Sequence, residues 1–258
     1  MEEQVIETEE KSEKKKRIDI IDAARGFAVI LMVVHHAFYN TWVFLDGPEW
    51  LYRNPVFSVL SYFFVGVFVF VSGISSRFSR GNVERGSKLF VIAMIITYVT
   101  LRMEMPIYFG ILHLLAVFMI FYGLTRKLWD NINTVAAPII FIALIIISSV
   151  FMAMLSPTMV STSETPPDNL VLRDLYAVLG WWQKSLNNHD HQEILPYIFV
   201  FLLGTWAGGY VREGKLPKWF YDFKIPVFPI IGRNALAIYV LHQPVLYSIT
   251  MLILYLKT

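Results

Sequence analysis

The sequence predicts an all-α protein, a polytopic bundle of about seven transmembrane helices, on three observations. Hydrophobic residues fill 56% of the 258 positions and charged residues 16%, whereas a soluble domain carries about a quarter charged. At this length one soluble core cannot hide that much apolar surface, so the surplus faces lipid. Apolar stretches approaching the ~20 residues of a membrane span recur along the chain, and Lys and Arg gather in alternate loops. These features exclude a cytosolic enzyme, a nucleic-acid-binding module and a disordered chain. The formal charge of +2 carries little weight beside its distribution. The absence of cysteine removes disulfides, thiolate metal sites and a Cys nucleophile.

Residues 1–17, MEEQVIETEEKSEKKKR, read as a charged cytoplasmic tail, and 18–258 as a single transmembrane domain. The tail is too polar for a signal peptide, so the first helix reads as an uncleaved anchor. The spans are Ile20–Val43, Pro55–Ile74, Leu89–Leu101, Ile107–Leu124, Thr134–Leu155, Leu195–Val211 and Leu236–Leu256. The third is short and crosses only if tilted or buried among its neighbours.

Charge counting orients them. The tail ends in Lys14, Lys15, Lys16 and Arg17; the loop after span two holds Arg77, Arg80, Arg85 and Lys88. Arg126 and Lys127 follow span four, and Arg212, Lys215, Lys218 and Lys224 follow span six. The alternate loops are acidic, with Asp46 and Glu49 in one and Glu164, Asp168, Asp174, Asp190 and Glu193 in the other. All the basic loops fall on one side, which puts the N-terminus in the cytoplasm and the C-terminus outside. The long outer loop, 156–193, starts as irregular Ser/Thr/Pro chain and continues as NLVLRDLYAVLGWWQ, an interfacial helix with Trp181 and Trp182.

An ionisable side chain inside a span costs several kcal/mol, so each needs a partner or a purpose. In the first helix the eleven-residue step from Arg25 to His36 closes to within ~20°. Asp22 lies one turn before Arg25, and Asn40 one turn after His36. A polar stripe Asp22–Arg25–His36–Asn40 therefore runs along one face, with His36 about 13 Å deep, near the midplane. The structural alternative for Asp22 and Arg25 is an ion pair at the cytoplasmic edge. His35 points elsewhere and reads as packing. His113 sits inside the fourth span. In the last helix Tyr239 and His242 share a face, Gln243 follows, and Pro244 frees a backbone carbonyl in the preceding turn. Arg233 and Asn234 stand at the inner entrance of that helix, where an Arg suits a phosphate or simply anchors the chain. The outer HDHQE, His189–Glu193, is a solvated polar run, and no metal is expected. There is no phosphate-cradling Gly-rich loop and no Ser-centred nucleophile elbow.

Several of these residues recur together. Asp22-Ala-Ala-Arg25-Gly26, then His36, Phe70-Val-Ser72-Gly73, Phe109-Gly110-Ile-Leu-His113 and Gly232-Arg233-Asn234-Ala-Leu-Ala-Ile-Tyr239-Val-Leu-His242-Gln243-Pro244 appear in this order. In these motifs the chain resembles a group of prokaryotic membrane proteins similar to the catalytic domain of heparan-alpha-glucosaminide N-acetyltransferase, from about Ile18 to Ser248. His36 also matches the helix histidine that follows an Asp-x-x-Arg-Gly opening in the wider superfamily of membrane acyltransferases. The resemblance implies transfer of an acetyl or other acyl group from cytosolic acetyl-CoA (acyl-CoA) to a sugar or glycan acceptor outside the membrane. It implies catalysis by His36 with Asp22, His113 and His242, and substrate binding by Arg25, Arg233, Asn234, Tyr239, Gln243 and Asn40. The partners are then the lipid bilayer, acyl-CoA and a glycan, with no nucleic acid. The setting is a prokaryotic cell membrane, and the assembly a homodimer if the chain self-associates.

The chemistry suits the residues on its own terms. A neutral histidine near pH 7 serves as base or nucleophile in acyl transfer, and arginines at the cytoplasmic edge match a coenzyme's phosphates. Two rival readings use the same histidines: a membrane b-type cytochrome with axial His35, His36, His113 or His242, and a proton-coupled transporter.

Overall fold

The computed structural model describes residues 17–103, 107–132, 135–162 and 191–257. Nine α-helices occur among them: α1 (Asp19–Phe44), α2 (Pro55–Phe78), α3 (Asn82–Arg102), α4 (Ile111–Asp130), α5 (Ala136–Thr162), α6 (Tyr197–Arg212), α7 (Lys218–Asp222), α8 (Phe228–Arg233) and α9 (Ala235–Lys257). A 3-10 turn, Glu49–Leu51, joins α1 to α2. No strand occurs among the described residues, and the fold is all-α as the sequence predicts.

Five helices contain a stretch long and apolar enough to cross a membrane: Asp19–Phe44, Val59–Phe78, Ile111–Asp130, Ala136–Met154 and Ala235–Lys257. They correspond to the first, second, fourth, fifth and seventh predicted spans. The third lies within α3, whose first turns carry Glu84, Arg85 and Lys88; the sixth is α6, of 16 residues. Ile139, Ile146 and Ile147 on α5 and Leu241, Val245 and Leu252 on α9 are exposed, an apolar surface suited to lipid.

One boundary differs from expectation. The chain after Leu155 reads as irregular, yet α5 continues to Thr162, because extending an established helix costs far less than starting one. The interfacial helix and residues 1–16 of the tail lie outside the described residues.

The described chain forms two compact units, one from the residues up to Tyr52 together with those from Leu216 onward, the other from Arg53–Lys215. In the first, α8 lies backbone to backbone against the start of α1. A methyl group on Gly26 would overlap the Phe228 carbonyl oxygen, and one on Gly232 would overlap the Asp22 carbonyl oxygen. Only hydrogen fits at either position. The chain enters α8 through a γ-turn at Val227 (φ 68°, ψ −64°), closed by the Phe228 N–H donating to the Pro226 carbonyl at 2.8 Å. Such a turn is strained for a β-branched residue, so it marks a conformation imposed by the surrounding packing. Then α9 runs alongside α1 in the same direction, passing through Pro244 without ending.

The second unit is built on a glycine seam of the same kind. Methyl groups on Gly73 and Gly204 would overlap the carbonyl oxygens of Phe201 and Phe70, so α2 and α6 touch along their backbones. Gly208 continues the seam one turn on, a small-xxx-small spacing that lets membrane helices approach closely. Asn54 caps α2 by accepting from the Phe57 N–H at 2.8 Å. At the other end Arg77 pairs with Asp130, which also accepts from Arg126 Nε at 2.9 Å and the Tyr122 hydroxyl at 2.7 Å. Arg126 donates to the Ser79 carbonyl at 2.7 Å. These guanidiniums satisfy helix C-termini, where positive charge is favoured.

The close approach at Gly26 has a direct test. Gly26→Ala must push the Phe228 carbonyl away and should destabilise the protein by about 1–3 kcal/mol. Gly66→Ala meets nothing within 4 Å and should be neutral or stabilising by about 0.5–1 kcal/mol through helix propensity. Thermal unfolding in detergent compares them; equal melting points would remove the close-packing argument.

Candidate active site

The polar stripe of α1 meets the polar face of α9. The ring centroids of His36 and His242 are 4.9 Å apart with an interplanar angle of 71°, an edge-to-face contact. Tyr239 is buried beside them, its ring 5.5 Å from that of His242. One turn beyond His36, Asn40 is 2% exposed and receives Gln243 Nε2 at 3.5 Å, the long end of hydrogen-bond range. Five of the sequence-predicted residues, His36, Asn40, Tyr239, His242 and Gln243, thus converge within one unit.

The helices fix the tautomers of the two histidines. His36 Nδ1 lies 3.0 Å from the Met32 carbonyl oxygen, and His242 Nδ1 lies 2.6 Å from the Tyr239 carbonyl oxygen. A carbonyl only accepts, so each Nδ1 carries hydrogen and donates. In the neutral ring the lone pair is then on Nε2. That is the state a histidine needs to take a proton or attack a carbonyl.

At the N-terminal end of the stripe Arg25 Nη1 lies 3.1 Å from Asp22 Oδ1, the ion pair that the sequence offered as an alternative. Arg233 joins the same carboxylate, Nε to Asp22 Oδ2 at 3.3 Å, and reaches Asp19 with Nη2 at 2.9 Å. Lys224 approaches Asp19 at 3.4 Å. The close packing of α8 on α1 makes this network, which among the described residues gathers three cations and two carboxylates. Asp19 and Lys224 were missed in the sequence. Asp19 sits at i,i+3 to Asp22 in IDIID, a spacing that does mark a shared face. Asn234 is exposed and donates to the Ile230 carbonyl at 2.9 Å, which finishes α8.

His113 belongs to the other unit. It is 3% exposed. Thr97 Oγ donates to the Ile107 carbonyl at 2.6 Å, so at 3.2 Å it accepts from His113 Nε2–H. The ring lies across the junction of α3, α4 and the segment before α4, flanked by Phe90 and Phe109. His35 packs in an aromatic group at the far end of α1: its ring is 4.9 Å from that of Tyr52, which stacks on Trp42 at 5.6 Å and meets Tyr39 at 5.2 Å. Sequence periodicity does not find this group, because Tyr52 arrives from the turn after α1. Among the described residues no cluster of three or more His, Cys, Asp or Glu side chains is placed to hold a metal ion.

No curated protein and no solved structure matches the chain. A family model described as heparan-alpha-glucosaminide N-acetyltransferase, catalytic, matches residues 17–244, and with this span of the sequence the chain belongs to that family, one of membrane acetyltransferases.

Proposed function

We propose that the protein moves an acyl group, acetyl by family, from cytosolic acyl-CoA to a sugar or glycan acceptor outside the membrane, with His36 as the base. The single observation that carries this reading is the His36–His242 contact beside Asn40 and Gln243, built on α1 and α9 of a chain in this family. Donation of Nδ1–H to Met32 leaves Nε2 to take the acceptor's proton and later return one to the leaving thiolate. Arg25 and Arg233, at the end of α1 assigned to the cytoplasm, hold the donor's phosphates. His113, engaged by Thr97, serves the packing of α3 on α4. The chain crosses a prokaryotic cell membrane seven times, α3 and α6 included, with its N-terminus inside. The contact also argues against His36 and His242 as the two axial ligands of one haem. Two imidazoles on one iron, with metal–nitrogen bonds near 2 Å, hold their centroids about 6 Å apart; 4.9 Å leaves no such room.

Radiolabelled acetyl-CoA incubated with purified protein and a panel of glycans tests the activity. His36→Ala should lower turnover about 10²-fold or more while the protein still inserts and folds. Near-normal turnover would sink the assignment of His36.

The donor grip separates from mere anchoring. Arg233→Gln should weaken apparent donor affinity about ten- to a hundredfold, from ~1.5–3 kcal/mol per charge-assisted phosphate contact. If Arg233 only pairs with Asp22 and Asp19, affinity will hold and the melting temperature will fall. The Arg233→Gln/Asp22→Asn double variant should then recover much of that loss.

Orientation is checked by cysteine labelling, for which the native chain offers a clean background. A cysteine replacing Pro48 should react with an impermeant thiol reagent on intact cells, and one replacing Lys215 should not. The reverse pattern would overturn the sidedness of the donor and acceptor.

A further inference from the structure

Asn40 and Gln243 do not complete each other. Apart from the long Gln243 Nε2 to Asn40 Oδ1 contact, Asn40 Nδ2 and Gln243 Oε1 are buried with no hydrogen-bond partner. A buried amide donor without a partner is costly and native proteins rarely keep one. The finding survives the choice of amide orientation. Turning both amides round moves the unpaired NH2 to Gln243 and the unpaired oxygen to Asn40, but the pair still presents one donor and one acceptor. Asn40 also lies one turn along the same helix face from His36, and Gln243 is next to His242. The unpaired donor therefore belongs to the same patch of α1 and α9 as the two histidines.

We propose that this amide pair donates the hydrogen bond that stabilises the oxyanion formed on the acyl carbonyl during transfer. The proposal rests on the reading of His36 as the base. In the step, the acceptor's lone pair bonds to the thioester carbonyl carbon and the carbonyl π pair moves onto oxygen. The acceptor's proton passes to His36 Nε2. The unpaired amide N–H donates to the new oxyanion, in a site where a fixed donor acts more strongly than water does. Collapse restores the carbonyl and breaks the carbon–sulfur bond; the departing thiolate takes the proton from His36. An acylated acceptor and a free thiol result, with no change in oxidation state. The unpaired amide oxygen accepts from a hydroxyl of the acceptor and so helps to seat it.

The test uses Asn40→Leu, Gln243→Leu and the double variant in full-length protein, with acetyl-CoA as donor and thiol release as the readout. The chain has no cysteine of its own to react. Donor KM, kcat and melting temperature are measured for each. Either single variant should lose at least about tenfold in kcat, and the double variant about 10²- to 10³-fold, with donor KM little changed. The melting temperature should hold or rise, since a half-satisfied polar pair has been replaced by apolar groups. Any folded member of the set with kcat close to the parent's overturns the proposal. Because Gln243 is the less buried of the two, its variant keeps the test available if Asn40→Leu does not fold. His36→Ala in parallel tells the failures apart. If it loses turnover and the amide variants do not, only the oxyanion role is lost; if it keeps turnover, the base assignment falls first.

Discussion

Two positions without a side chain, Gly26 and Gly232, let α8 rest directly on the backbone of α1, and much of the first unit follows from that contact. It delivers Arg233 to Asp22 and Asp19, next to Arg25. It also sets where α9 starts, so it governs the register in which α9 runs alongside α1. That register decides whether His242 meets His36 and whether Gln243 meets Asn40. A single methyl group at the contact would move the polar end and the histidine pair together. The strained γ-turn at Val227 is consistent with the same constraint, for the chain must turn sharply to reach so close a position.

The second unit reaches close helix packing in the same way and ends it differently. Apolar burial does little to hold helices together in lipid, where the tails are as apolar as leucine, so contact area and polar pairing decide. Gly73, Gly204 and Gly208 provide the contact area between α2 and α6. Asp130 provides the pairing, one carboxylate shared by Arg77, Arg126 and the buried Tyr122 hydroxyl. In this unit both oxygens of Asp130 are engaged and Arg126 reaches a helix carbonyl, though Arg77 Nε is buried without a partner, and the arrangement reads as structural. The Asn40–Gln243 pair of the first unit differs because its unpaired donor and acceptor lie on the helix faces that carry His36 and His242.

Three histidines, His36, His113 and His242, show how environment separates roles that residue type leaves equal. His113 is buried and held by a threonine hydroxyl that is itself committed to a backbone carbonyl. His36 and His242 spend Nδ1 on their own helices and turn toward each other.

The apolar content, the span-length stretches and the Asp22–Arg25–His36–Asn40 stripe were legible in the sequence because each depends on composition or on the fixed 100° step of one helix. The helix C-terminal extension to Thr162 was not, since Ser, Thr and Pro favour caps and turns in isolation and an existing helix overrode them. Nor were the partners of Arg233, the engagement of His113 by Thr97 or the stacking of Tyr52 on Trp42. Each joins groups far apart in the chain, or brought in by a turn, whose meeting depends on the distance and rotation between elements. By itself, then, the sequence determined an all-α membrane protein and the polar face of its first and last helices. Only the tertiary structure decided which polar groups cancel and which remain to act, because that depends on backbone approach at Gly26 and Gly232, which no periodicity within a single helix encodes.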